Sequence, residues 1–398
     1  MHVPQGAVVA MLTPFDDSGR ISEPEVRKLV DFLINKGVNG IFPVASCGEY
    51  THLSMSERKF LIDIVVDEAG GRVDVIPGTG ATCHKQSIEL AGYAREKGCS
   101  AIVLHGPYFF KNTDEVVEGH LRIVAESVDI PVFLYNIPFF ANEVTPAMVE
   151  RLCAIPNVVG IKESSGNMVN VMNILEIARK IRPDFRVMLG VEEIFFPALL
   201  MGAKGCMTAI CGIMPEFAVG IYKAFLDGNA ARAYNLQMAI LPLIREMKSV
   251  NFPQGFKEAM SLRGINMGRP KMNYPQASLE KIAALKERLR VEMSTLLSTY
   301  FPGIDLKYDA PEKTAKNVYP GLNPENSAVK KHADCMSCGM CEGGGCSDGS
   351  KNNINTGGNI FEAVKDNTPG TYDSKSMNKE NIESLILAIV KNVIEKTN

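Results

Sequence analysis

The sequence has little excess charge of either sign. Its 398 residues carry 42 Lys and Arg against 45 Asp and Glu, a formal net charge of −3. Nucleic-acid binders show a clear basic excess, so nucleic acid is not an expected partner. No run of about 20 apolar residues is free of charges, so no membrane span is expected. The segment Met1 to Pro14 is apolar but has no basic leading region and runs straight into the first predicted strand; it does not read as a signal peptide. The turn after that strand lacks a Gly-x-Gly-x-x-Gly fingerprint, which weakens a dinucleotide-binding open sheet. A disulfide framework is missing too. Cys47, Cys83, Cys99, Cys153, Cys206 and Cys211 are scattered without disulfide-like spacing, which suits a reducing cytoplasm.

What is present is core-forming material. Apolar residues make up 46% of the chain and charged residues 22%, so an ordinary large core is affordable. The length fits one α/β barrel plus an extra piece. Short Val- and Ile-rich runs recur at Ala7–Leu12, Gly40–Val44, Val73–Pro77, Ala101–Leu104, Val132–Tyr135, Val158–Lys162, Arg186–Gly190 and Cys206–Thr208. They do not alternate, as expected of parallel strands buried on both faces. Helical periodicity follows each; one such helix passes through Arg27, Lys28, Asp31 and Lys36 and stops at Gly37. Eight such units predict a TIM (β/α)8 barrel over residues 1–228. Helical patterns at 229–248, 253–264 and 278–298 predict a C-terminal helical cap over 229–298. Residues 299–334 read as a linker, 335–346 as a cysteine cluster, 347–377 as a polar linker and 378–398 as an amphipathic helix.

The run Val158-Val159-Gly160-Ile161-Lys162 ends a predicted strand on lysine. Active sites of such barrels sit at the C-terminal ends of the strands. Burial there disfavours the ammonium form, and a neutral amine attacks a ketone to form an imine. The same lysine could instead reach out to solvent or pair with Glu163.

Three motifs in register bear on this choice: Ser46-Cys47-Gly48-Glu49, Tyr135-Asn136-Ile137-Pro138 and Gly160-Ile161-Lys162-Glu163. With Gly78-Thr79-Gly80 and Met201-Gly202-Ala203-Lys204-Gly205, they make residues 5–298 resemble the dihydrodipicolinate synthase / N-acetylneuraminate lyase family of class I, pyruvate-dependent aldolases. The resemblance implies that Lys162 forms the imine with the keto carbon of pyruvate and that Tyr135 shuttles protons. It implies that Ser46, with the backbone N–H groups of Ser46 and Cys47, holds the carboxylate, while Gly48 lets the backbone come close. It also implies a dimer or tetramer of barrels, a keto acid and an aldehyde as partners, and no cofactor for the aldol chemistry.

The departures from that family are informative. Cys47 stands where many members have a second hydroxyl, so carboxylate binding there would rest on the backbone amide. Phe109 replaces a tyrosine that reaches into a neighbouring subunit, which cuts short a tyrosine relay. Phe140 stands where synthases proper place an arginine that binds the carboxylate of aspartate semialdehyde. Cleavage of a 2-keto-3-deoxy acid is therefore expected ahead of a hydratase-aldolase on a less polar aldehyde, and both ahead of the synthase reaction. A barrel that has lost catalysis and serves as a scaffold is the contrasting class.

Cys335, Cys338, Cys341 and Cys346 are spaced x2, x2 and x4. This suits an iron–sulfur cluster or zinc, and equally a thiol-rich loop without metal. In the tail, Ile382, Leu385, Ile386, Ile389, Val390, Val393 and Ile394 line one helical face. Docking on the barrel or on a sister subunit would cover it. An apolar-faced helix on a polar tether also resembles the encapsulation peptides of bacterial microcompartment cargo, which implies a shell or cargo partner and a place inside that compartment.

Overall fold

The computed structural model describes residues 2–307; the cluster Cys335, Cys338, Cys341 and Cys346 and the 378–398 helix lie outside the described residues. Eight strands alternate with helices: β1 Gly6–Ala10, α1 Glu23–Asn35, β2 Gly40–Phe42, α2 Met55–Ala69, β3 Asp74–Val75, α3 His84–Glu96, β4 Ile102–His105, α4 Asp114–Glu126, β5 Val132–Asn136, α5 Pro146–Leu152, β6 Val158–Glu163, α6 Met168–Ile181, β7 Arg186–Leu189, α7 Phe195–Met201 and β8 Gly205–Thr208. Two helices, α8 Ile210–Ile213 and α9 Pro215–Leu226, complete the last unit. All strand pairs are parallel, in the order β3-β2-β1-β8-β7-β6-β5-β4. An open sheet would stop there. Here Gly78 bridges Val103 in parallel, with Thr79 N–H donating to the Val103 carbonyl at 2.9 Å and Val103 N–H to that of Pro77 at 3.0 Å. This contact joins the β3 side to β4 and closes the ring, as the TIM barrel requires.

Local chemistry sets the helix ends. Ser54 and Glu57 form a capping box at the start of α2, and Gly70 ends it with φ 53°. Gly37 follows α1 with φ 79°, a conformation that costs glycine nothing. Beyond the barrel, α10 Ala230–Met247, α11 Gln254–Leu262 and α12 Gln276–Tyr300 pack beside it. Leu285, Leu289 and Met293 bury one face of α12, and Phe301 stacks edge-on against Phe217 at 5.0 Å. Among the described residues no helix is long and apolar enough to cross a membrane.

One irregularity decides which side chains reach the barrel mouth. The β5–β6 register begins Val132↔Val158 but shifts at Val132/Phe133, so Phe133 pairs Gly160 and Tyr135 pairs Lys162. Without the extra residue, Tyr135 would sit opposite Ile161. A one-residue slip turns side chains to the other face of a strand. The bulge therefore brings the phenol and the amine to the same side. Gly160 makes it possible, because a Cβ there would lie 2.4 Å from the Arg186 carbonyl oxygen and 2.5 Å from the Phe133 ring. Gly160→Ala is expected to destabilise the barrel by about 3 kcal/mol, as overpacking of a close-packed interior does. Thermal denaturation checks this; an unchanged midpoint would show that β6 relaxes freely.

Candidate active site

Register aligns the mouth. His105 pairs Tyr135 and Tyr135 pairs Lys162, so β4, β5 and β6 present three functional side chains in one row. Lys162 is 3% exposed, and its Nζ donates to Tyr135 Oη at 3.1 Å. The same nitrogen lies 4.2 Å from the Tyr135 ring centroid and 4.8 Å from that of Phe42. Two aromatic faces favour the positive charge of a later iminium there. Lys162 thus neither reaches bulk solvent nor pairs with Glu163. Successive strand residues face opposite ways. The buried Glu163 carboxylate instead accepts from Asn136 Nδ2 at 2.8 Å and from Ser165 N–H at 2.6 Å. Burial raises the Glu163 carboxyl above the ordinary glutamate range.

Gly190, just after β7, provides the room that Lys162 needs. A Cβ there would fall 2.7 Å from Lys162 Cε and 1.7 Å from Ser164 Oγ. Ser164 Oγ is buried with no hydrogen-bond partner among the described residues.

The 46–49 turn lies between β2 and α2. Gly48 N–H donates to the Ala45 carbonyl at 3.0 Å and Glu49 N–H to that of Ser46 at 3.1 Å. Thr13 Oγ1 donates to the Gly48 carbonyl at 2.7 Å, a contact a Cβ on Gly48 would obstruct. The Cys47 thiol points at β1, donating to the Ala10 carbonyl at 3.1 Å, and burial pushes it up to about 12. It stays a neutral thiol. The proximity of Lys162 opposes that rise, so the thiol lies within electrostatic reach of the amine. Glu49 adopts a left-handed conformation, φ 57°, and its carboxylate accepts from Lys257 Nζ of α11 at 2.6 Å.

A second polar group backs the row. His105 Nδ1 is 2.7 Å from the Gly106 carbonyl oxygen, and Nε2 is 2.7 Å from Tyr50 Oη. A carbonyl only accepts, so Nδ1 carries the proton and Tyr50 donates to Nε2. Burial lowers the His105 imidazole to about 4, which keeps this neutral tautomer. Burial also raises the Tyr50 phenol well above the ordinary tyrosine range.

Comparison with known proteins decides the family. The dihydrodipicolinate synthetase family model matches residues 3–292. The chain belongs to the dihydrodipicolinate synthetase family. Like its relatives it is a class I aldolase, an enzyme of the lyase class. The 4-hydroxy-tetrahydrodipicolinate synthase of Methanothrix thermoacetophila is 35% identical over 293 residues, 73% of this chain and 98% of the relative. That of Acetivibrio thermocellus is 32% identical over 286 residues, covering 72% and 96%. Among solved structures, the E. coli prophage protein YagE of this family, in complex with pyruvate, superposes with TM-score 0.68 at 28% identity. The match spans 73% of this chain and 98% of YagE.

Within this family frame, three sequence departures take up definite positions. Phe109 is 88% exposed with φ 80°, beside the exposed Phe110. Phe140 stacks on Phe252 at 5.7 Å, and Phe139 is exposed next to it. Cys47 directs its sulfur at a strand carbonyl. Sequence reasoning missed His105 and Lys257. His105 ends β4 level with Tyr135, and aligning strand ends would have flagged it. Lys257 stands 208 residues from Glu49, and no local pattern links the two.

Proposed function

We propose that this enzyme cleaves or forms a 2-keto-3-deoxy acid through an imine between Lys162 and pyruvate. The observation that carries it is the buried Lys162 Nζ, 3.1 Å from the Tyr135 phenol. The neutral amine adds to the keto carbon, and loss of water leaves a protonated imine. The iminium draws electrons, so the adjacent methyl loses a proton and becomes an enamine, which attacks the aldehyde carbon. Tyr135 stands where it can pass protons at these steps. The backbone N–H groups of Ser46 and Cys47 are suited to the pyruvate carboxylate.

The aldehyde side supports an uncharged partner. Phe140 offers no charge to pair with a substrate carboxylate. Aspartate semialdehyde would forgo a charge-assisted contact of about 2 kcal/mol. The exposed Phe139 and Phe140 rings favour, as a second reading, an aromatic aldehyde.

Borohydride trapping with pyruvate, followed by an aldehyde panel, tests both levels. An adduct on Lys162 is expected, with kcat/KM for a hydroxylated aldehyde about 10- to 100-fold above that for aspartate semialdehyde. Preference for aspartate semialdehyde would restore the synthase reading, and absence of any adduct would leave a scaffold.

A further inference from the structure

We propose that His105 is a positioning residue for Tyr135, locked in one orientation by Tyr50. This rests on the proposed proton-transfer role of Tyr135. Tyr135 has a cross-strand neighbour on each side: Lys162 on β6, which needs its hydroxyl, and His105 on β4. The His105 ring meets the Tyr135 ring edge-on, centroids 6.2 Å apart at 63°, and Phe42 meets it at 6.3 Å and 79°. These two rings box the phenol in. A box holds only if its walls do not turn. The imidazole is pinned at both nitrogens by the 2.7 Å bonds to Gly106 and Tyr50, so rotating it breaks both.

Other features fit this design. Gly80 is bare where a Cβ would strike His105 Nε2 at 2.3 Å. The Tyr50 ring packs against His105 at 5.4 Å and against Tyr108 at 6.2 Å, and the Arg58 guanidinium lies 5.0 Å above it. Arg58 is itself held by the Leu53 carbonyl at 3.1 Å. His105 makes no hydrogen bond to Tyr135 Oη, so it acts through ring placement and not by taking the proton.

The imine, once at equilibrium, shows as the adduct trapped on Lys162, while its conversion to the enamine depends further on Tyr135 being aimed at the methyl proton. The two are separable with pyruvate alone. Borohydride trapping reads the first step, and exchange of methyl protons into deuterium oxide, followed by NMR, reads the second. In His105→Phe, which keeps a ring but loses both pins, exchange at saturating pyruvate is expected to fall at least about 10-fold, because small misplacement of a reacting group is costly. Trapping and the pyruvate KM should stay within about twofold of wild type. Tyr50→Phe removes one oxygen and should give the same split at smaller size, which keeps the test intact if His105→Phe folds poorly. Unchanged exchange in a folded Tyr50→Phe or His105→Phe overturns the proposal. So does a parallel loss of exchange and pyruvate binding, which marks general disruption. Failure of the wild type to trap pyruvate would overturn the aldolase reading instead, and the two failures are thus distinct.

Discussion

Replacing Lys162 by methionine is expected to abolish pyruvate trapping and to lower turnover by on the order of 10^4- to 10^6-fold, the loss typical of removing a catalytic nucleophile. The fold should survive. The Lys162 stem runs through a buried space bounded by Gly190, Tyr135 and Phe42, and a methionine thioether occupies similar volume. The amine gives its one side-chain hydrogen bond to Tyr135 Oη, and that hydroxyl loses a single donor on substitution. The thermal midpoint should therefore shift little in either direction, since the desolvation cost of a buried amine disappears with its contacts. Mass spectrometry after borohydride reduction, on wild type and variant side by side, checks the claim. A persisting adduct in Lys162→Met would move the nucleophile to another lysine. The only other lysine buried at this level among the described residues, Lys257, is tied to Glu49 and is the first place to look.

The parts legible in the sequence were those written in continuous patterns. Parallel strands buried on both faces yield unbroken apolar runs, and each of the eight predicted runs overlaps a strand. The strand at Asp74–Val75 is only two residues long. There the ring is completed by the isolated Gly78–Val103 bridge, a contact between segments that periodicity does not link. Lys162 and Tyr135 were legible because each ends such a run. Their facing each other was not, because the bulge between Val132 and Gly160 changes parity without changing composition. A count from Val132 and Val158 would have put Ile161 beside the phenol. The sequence places the thiol of Cys47 where many members of the family have a second hydroxyl. Its orientation toward the Ala10 carbonyl depends on how β1 lies under the turn. His105 was hidden for a different reason: a histidine in an apolar strand reads as packing, and its pinned tautomer exists only once Tyr50 and Gly106 are in place.

Breaking the Lys257–Glu49 pair should give the largest loss of stability. Both side chains are buried, at 1% and 5% exposure, and burial lowers the Lys257 pKa despite the attraction of Glu49. Desolvation opposes the pairing, and the ion pair fixes geometry. Lys257→Met leaves the buried Glu49 with only His52 Nδ1, 3.6 Å away, so a loss of about 3–5 kcal/mol is expected. Lys257→Met/Glu49→Gln should recover part of it. Thermal denaturation of both variants reads the effect; no recovery in the double variant would mean that His52, whose Nδ1 lies 3.6 Å from Glu49 Oε2, takes over the pairing. The functional consequence lies one residue away. Glu49 follows Gly48 in the turn whose amides face the proposed carboxylate, and its left-handed backbone is held from α11. Releasing it should raise the pyruvate KM on the order of 10-fold, with a smaller effect on kcat, because the imine chemistry of Lys162 and Tyr135 stands on other strands. The cap helices would then be part of the substrate site, since one buried ammonium from α11 fixes the turn that binds the keto acid.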